Sequence, residues 1–181
     1  SWGVKRGIYS NEAGQGTGPH ASSAASVSHP AKQGLVQAFS VYVDTLLVCS
    51  ATAFMILITG SYNVVGPDNA PMFIGLKDVA TGPAYTQAAV EGLMPGFGQA
   101  FVAIALFFFA FTTILSYYYI SETNVSYINR KLHRPFLFFI LKLFVMGSCI
   151  FGAVKTADLA WAVGDIGVGL MAWLNIIAIL L

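Results

Sequence analysis

Apolar residues run along this chain in four long blocks, and the polar positions gather between the blocks instead of alternating within them. The blocks cover 34–60, 98–128, 135–154 and 159–181. Each approaches or exceeds the length of about 20 residues that an α-helix needs to cross a hydrocarbon core, so they predict four membrane-crossing helices. Gly60-Ser61-Tyr62-Asn63 closes the first block and Pro135 opens the third. Between the first two lies a loop at 61–97, punctuated by Pro67, Pro71, Pro83 and Pro95 and net acidic through Asp68, Lys77, Asp78 and Glu91. A connection of this length is usually functional or a lid. Its weakly amphipathic piece from Tyr85 to Leu93 predicts a short surface helix.

Residues 1–33 break the pattern. Gly7, Gly14, Gly16 and Gly18 crowd into one polar stretch, and Pro19 follows at once. Glycine permits a positive φ or the close approach of another group. An irregular polar segment joined to apolar helices is tolerated at membrane depth only where protein buries it or it lines an aqueous cavity. The stretch reads as the tail of a preceding membrane helix, a glycine-rich bend, and a short helix of small residues from Ala21 to Ser28. Small residues let membrane helices pack closely. The chain opens on Ser1-Trp2 and stops inside an apolar run at Ile179-Leu180-Leu181, which we read as a piece of a longer protein.

Composition sharpens the choice of solvent. The chain is 56% hydrophobic and 9% charged, with mean hydropathy +0.71, against about 25% charged residues in an ordinary soluble domain. A formal charge of +1 and the lack of a long basic run give nucleic acid no foothold. Cys49 and Cys149 both lie inside apolar stretches, as small buried hydrophobes do, and suggest neither a disulfide framework nor a metal site. Basic residues set the orientation. Arg130, Lys131 and Arg134 put 129–135 inside, Lys32 agrees two crossings earlier, and the 61–97 loop and the 155–158 turn fall outside. Lys5, Arg6, His29 and Lys32 then bracket a segment on the cytoplasmic side. The chain carries no glycine loop for a nucleotide phosphate, no Ser-His-Asp order and no HExxH, so neither an ATP-driven pump nor an enzyme is indicated.

Polar residues inside the blocks are the candidates for chemistry. Thr112 and Thr113, with Ser116 a turn on, offer hard hydroxyl oxygens to Na⁺; the competing reading is a hydroxyl bonded back to its own helix carbonyl. Asp44 is an acid within a span, where such groups are costly and face a cavity or a partner. It reads either as part of an ion or proton path or as a packing contact with neighbouring hydroxyls. Asp165, among Gly164, Gly167 and Gly169, points to a structural or interface role, and Lys142 calls for an acidic partner. Ser10, Asn11 and Glu12 read as a pathway lining or gate, or alternatively as a helix cap and loop scaffold.

Arg6-Gly7-Ile8-Tyr9-Ser10-Asn11-Glu12-Ala13-Gly14-Gln15-Gly16 resembles the RG-x-[FY]-SNEAG-x-G signature of the alanine or glycine:cation symporters. The likeness continues through His29-Pro30-Ala31-Lys32-Gln33-Gly34, Asp44-Thr45 and Thr52-Ala53 to the chain end. It implies an all-α polytopic membrane protein, the second inverted repeat of a leucine-transporter-like fold, running from the end of that repeat's first helix to most of its fifth. In such folds a Thr/Ser pair on the third helix of the repeat contacts sodium, and Thr112-Thr113 hold that place. The resemblance further implies Na⁺-coupled symport of a small neutral amino acid, alanine or glycine, by alternating access. Na⁺ is then the coupling ion, with H⁺ as an alternative, no other cofactor is needed, and the location is the plasma membrane, bacterial inner membrane in particular. A channel-like pore or a non-transporting membrane subunit are the alternatives. The family often has Gly-Trp where Ser116-Tyr117 stand here, which bears on substrate preference.

Overall fold

The computed structural model describes residues 2–68, 70–79 and 82–181. Ser1 and three positions of the expected 61–97 loop, Asn69, Ala80 and Thr81, lie outside the described residues. The chain divides into two compact units, residues 1–37 with 114–181, and residues 38–113.

In the first unit, α1 (Trp2–Ser10) ends at the glycine-rich turn, and α2 (Thr17–Ser22) follows it. The small-residue helix expected at Ala21–Ser28 is not there: α2 ends at Ser22, and the chain continues in turns. The reason is local. The Ser22 and Ser23 hydroxyls donate to the carbonyls of Pro19 and His20, competing with the ladder that would extend the helix. His29 then precedes Pro30, a position pushed away from helical geometry. The second half of α6 (Gly98–Leu132) turns through a short link into α7 (Phe136–Val154), and α8 (Ala157–Leu180) follows. The α6–α7 link is held by His133 in the left-handed region, φ 48°, and by Asn129 Oδ1, which accepts the Arg134 N–H at 2.6 Å.

The second unit holds most of one long helix, Pro30–Ile58, in three pieces: α3 (Pro30–Val43), a π-helical segment Asp44–Cys49, and α4 (Ser50–Ile58). The Ser50 hydroxyl reaches five residues back to the Thr45 carbonyl at 3.1 Å. Beyond α4 comes a two-stranded antiparallel hairpin, β1 (Asn63–Val65) and β2 (Pro71–Ile74), with a bulge between Val64 and Val65. It stands where the residue pattern predicts an irregular loop. Its base is locked by Asn63, whose side chain donates to the Leu76 carbonyl at 2.7 Å and accepts the Leu76 N–H at 2.9 Å. Gly75 is obligatory there, since a Cβ would stand 1.9 Å from the Gly60 carbonyl oxygen.

The expected surface helix is α5 (Pro83–Leu93), two residues longer at its start because Pro83 fits the first helical position. It packs on α4. Glu91 joins α5 to α6: its carboxylate accepts the N–H groups of Gly96 and Gln99 at the start of the next helix. Those two backbone donors, Gly96 first, hold the Glu91 carboxyl below the ordinary carboxylate range.

Four helices are long and apolar enough to cross a membrane: Pro30–Ile58, Gly98–Leu132, Phe136–Val154 and Ala157–Leu180. Three of them overrun the blocks read from sequence, the last by two residues at its start. The first begins at Pro30, a good opening residue, and the second continues through Arg130 and Lys131, whose charges suit a helix C-terminus. Large apolar side chains such as Phe39, Leu47, Phe107, Phe144 and Trp173 are exposed along them. This is what a lipid-facing or partner-facing helix presents, and it fits a multi-pass membrane protein.

Candidate functional site

The glycine-rich turn of the first unit separates α1 from α2. Asn11 still closes a helical turn, its N–H donating to the Gly7 carbonyl at 3.0 Å. Glu12 then takes a left-handed conformation, φ 50°, and Gly14 and Gly16 follow at φ 75° and 77°. For Glu12 that conformation is costly, and its side chain is the best-anchored in the turn. Tyr117, from α6, donates its hydroxyl to Glu12 Oε1 at 2.6 Å. Thr17, at the start of α2, donates its own to Glu12 Oε2. One carboxylate thus ties the bend to both flanking structures. Gly16 occupies the cap position of α2 with no side-chain cap, so Ser10 does not cap that helix and the capping alternative fails for it.

On the other side, α8 supports the turn. Asn175 Nδ2 donates to the Gly14 carbonyl at 3.1 Å, and a Cβ on Gly16 would stand 3.0 Å from Asn175 Oδ1. The turn needs glycine at 16 for two reasons, the backbone sign and the amide beside it. Further along α1, Tyr9 meets Trp161 edge to face at 5.2 Å, and the Arg6 guanidinium lies 4.1 Å above the same indole. Lys5 Nζ reaches Asp165 Oδ2 at 2.6 Å, and Arg6 approaches the other oxygen at 3.7 Å. Lys5 and Arg6 therefore do not flank the segment as free surface charges. Both engage an acid eight residues into α8. For Asp165 the structural reading is the one these contacts favour.

Gln15 and Thr17 are 5% and 3% exposed, in a chain whose large apolar side chains mostly face outward. Among the described residues, Gln15 Nε2 is buried without a hydrogen-bond partner. An unmatched buried donor costs about 1–3 kcal/mol, so the turn keeps a place where a polar group is welcome.

In the second unit, Asp44 opens the π-helical segment, and the Cys49 thiol lies 3.7 Å from Asp44 Oδ2. Single π turns inside helices recur at functional sites. Thr112 donates to the carbonyls of Phe108 at 2.9 Å and Phe109 at 3.1 Å, the back-bonding that competed with the ion reading. The two are compatible: a hydroxyl that gives its proton to the helix turns its lone pairs outward, where a cation would need them. Thr113 and Ser116 are exposed. Lys142 forms no ion pair among the described residues.

The structure gathers Glu12 with three residues that the sequence reading had not assigned to it: Tyr117, Thr17 and, through the turn, Asn175. The sequence does carry a signal for Asn175. It is the one amide in the apolar run Trp173-Leu174-Asn175-Ile176-Ile177, and a polar group in a span implies a partner.

Compared with known proteins, residues 1–181 match the model of the sodium:alanine symporter family. The chain is 64% identical over its whole length to the YrbD protein of Bacillus subtilis. It is 62% identical over 99% of its length to the sodium/proton-dependent alanine carrier protein of Bacillus sp. PS3. It is 37% identical over 99% of its length to the sodium/alanine symporter AgcS of Methanococcus maripaludis. It spans 37%, 41% and 36% of those three proteins in turn. No solved structure matches it.

Proposed function

The chain belongs to the sodium:alanine symporter family, and from that membership we propose that it is part of a sodium-coupled carrier of small neutral amino acids. Alanine is the first substrate and glycine the second. Na⁺ is the coupling ion, with H⁺ as the alternative that the name of the Bacillus sp. PS3 relative carries. The carrier works by alternating access in a bacterial inner membrane, and this chain is the second inverted repeat of a leucine-transporter-like fold.

The observation that carries the reading is the break between α1 and α2, pinned by Tyr117 and Asn175. Interrupted helices expose backbone donors and acceptors, and secondary carriers place substrate and ion sites at such breaks. Ser10, Asn11 and Glu12 line this break and serve as the pathway or gate, with the spare donor of Gln15 beside them. Thr112, Thr113 and Ser116 supply neutral oxygens to Na⁺. Asp44, on its π turn, belongs to the ion path.

The test is alanine uptake by the full-length protein in proteoliposomes, with and without an inward Na⁺ gradient. A symporter concentrates alanine only with the gradient. A pore equilibrates it regardless, and a structural subunit does neither. Thr112→Val and Thr113→Val keep side-chain shape and remove the hydroxyl. Losing one neutral ligand costs about 1–3 kcal/mol, so the Na⁺ concentration for half-maximal uptake should rise about 5- to 150-fold in at least one variant at normal membrane abundance. Unchanged Na⁺ dependence in both would return the threonine pair to helix packing and leave symport itself standing.

A further inference from the structure

Beyond transport, we propose that the α6–α7 hairpin binds an anionic phospholipid, one acyl chain in the groove between the helices and the phosphate against Lys131 and Arg134. The groove measures about 280 Å³ and is lined by Val125 and Ile128 of α6 and by Leu137, Ile140, Leu141 and Phe144 of α7. All six side chains are apolar. Next to it along the chain, the last turn of α6 and the start of the link, Arg130-Lys131-Leu132-His133-Arg134, hold three fixed cations in five residues. Helical spacing connects the two features. Lys131 follows Ile128 by three residues on α6 and so continues that helix's groove-lining row, and Arg134 stands in the link two residues before α7.

Nothing within the described residues neutralises these cations. Arg130, Lys131 and Arg134 form no ion pair, whereas Lys5 and Arg6 both engage an acid. The link is also held in shape, by the left-handed His133 and by the Asn129–Arg134 hydrogen bond. A fixed basic cluster beside an apolar groove is complementary to one occupant with both characters: a phosphate on a hydrocarbon tail. Basic pockets between membrane helices on the cytoplasmic side take such head groups. A free phosphate would satisfy the charge and leave the groove unexplained, and a zwitterionic lipid would satisfy the groove and cancel the charge.

The test uses the full-length protein in lipid nanodiscs doped with a phosphatidylglycerol carrying a photoactivatable group in its acyl chain. After irradiation, the expected adducts map to 125–144, and a phosphatidylcholine with the same chain gives far fewer. At limiting lipid, Lys131→Gln with Arg134→Gln should lower the yield about 30-fold, taking roughly 1 kcal/mol for each cation at the membrane surface. Ile140→Trp, which fills the groove, should lower it with the head-group site intact. Excess inorganic phosphate should leave it unchanged. Equal labelling by the two lipids, or adducts elsewhere, overturns the proposal on the unmodified protein, so it stands or falls even where the double variant does not fold. Displacement by inorganic phosphate would reduce the feature to an anion site without a lipid. No response to either substitution would assign the groove to another protein segment.

Discussion

Replacing Gly16 with alanine tests the support that α8 gives to the turn, and Gly14→Ala supplies its control. Both glycines have nearly the same backbone, φ 77° and 75°, so the strain is shared. A left-handed alanine costs roughly 1–2 kcal/mol, offset by about 0.4–1 kcal/mol from the stiffer unfolded chain. The neighbours differ. A Cβ at position 14 meets nothing within 4 Å, whereas at 16 it lies 3.0 Å from Asn175 Oδ1 and 3.2 Å from its Cγ. Asn175 must retreat by a few tenths of an ångström, which stretches its 3.1 Å bond to the Gly14 carbonyl. A neutral hydrogen bond contributes about 0.5–1.5 kcal/mol net, so Gly16→Ala should be the more damaging by about 1 kcal/mol. The assay is the thermal midpoint of the full-length protein in detergent, read by fluorescence size exclusion and ranked across variants. Asn175→Ala removes the obstructing amide, and on that background the two glycine substitutions should cost the same. Equal damage in the parent, or a gap that survives the loss of Asn175, would refute the contact.

Two further outcomes follow from the geometry. Glu91 has its folded carboxyl held below the unfolded value by the Gly96 and Gln99 amides, so its contribution is present above the unfolded pKa of about 4.3 and is lost as pH falls through the lower folded one. Amide exchange at Gly96 and Gln99, corrected for its intrinsic pH dependence, should accelerate in acid, and Glu91→Gln should show that acceleration already at neutral pH; protection independent of pH and of the substitution would refute the cap. For orientation, on a background without Cys49 and Cys149, an impermeant thiol reagent applied outside should label Asp68→Cys and spare Asn129→Cys, and the opposite pattern would invert the topology.

The long elements were legible because membrane helices are written in composition. No soluble core explains apolar runs such as Phe136–Val154, and period hardly matters when every face is apolar. The irregular parts were harder. The β1–β2 hairpin rests on Asn63, whose two hydrogen bonds to Leu76 span thirteen residues, and on a backbone crossing at Gly75 that no local pattern announces. The helix expected at Ala21–Ser28 was read from size and composition alone; serine hydroxyls and the His29-Pro30 junction override both. The signature turn was found at once by its glycines, yet its anchors were not. Glu12 to Tyr117 spans 105 residues and Gly14 to Asn175 spans 161. Only the fold brings those partners together. Lys5 and Arg6 misled in the same way, since a basic pair reads as a flank until its acid, 160 residues away for Lys5, is known.

A helix that widens for one turn cannot carry one stripe from end to end. A turn closed five residues back takes in one residue more than a turn closed four back, and one residue is about 100° of rotation. Across Asp44–Cys49 the faces of α3 and α4 are therefore out of phase by roughly a quarter turn. A count begun at Leu35 and carried past Cys49 at 3.6 residues per turn would assign Thr52 and Met55 to the wrong side of the rod. In a surface loop, gaining or losing a single residue passes as a change of length. Here the wide turn absorbs it: a one-residue deletion within 44–49 would let the segment close as ordinary α-helix and leave Ser50 to Ile58 facing as they do, whereas the same deletion in a regular helix would swing everything beyond it by about 100°.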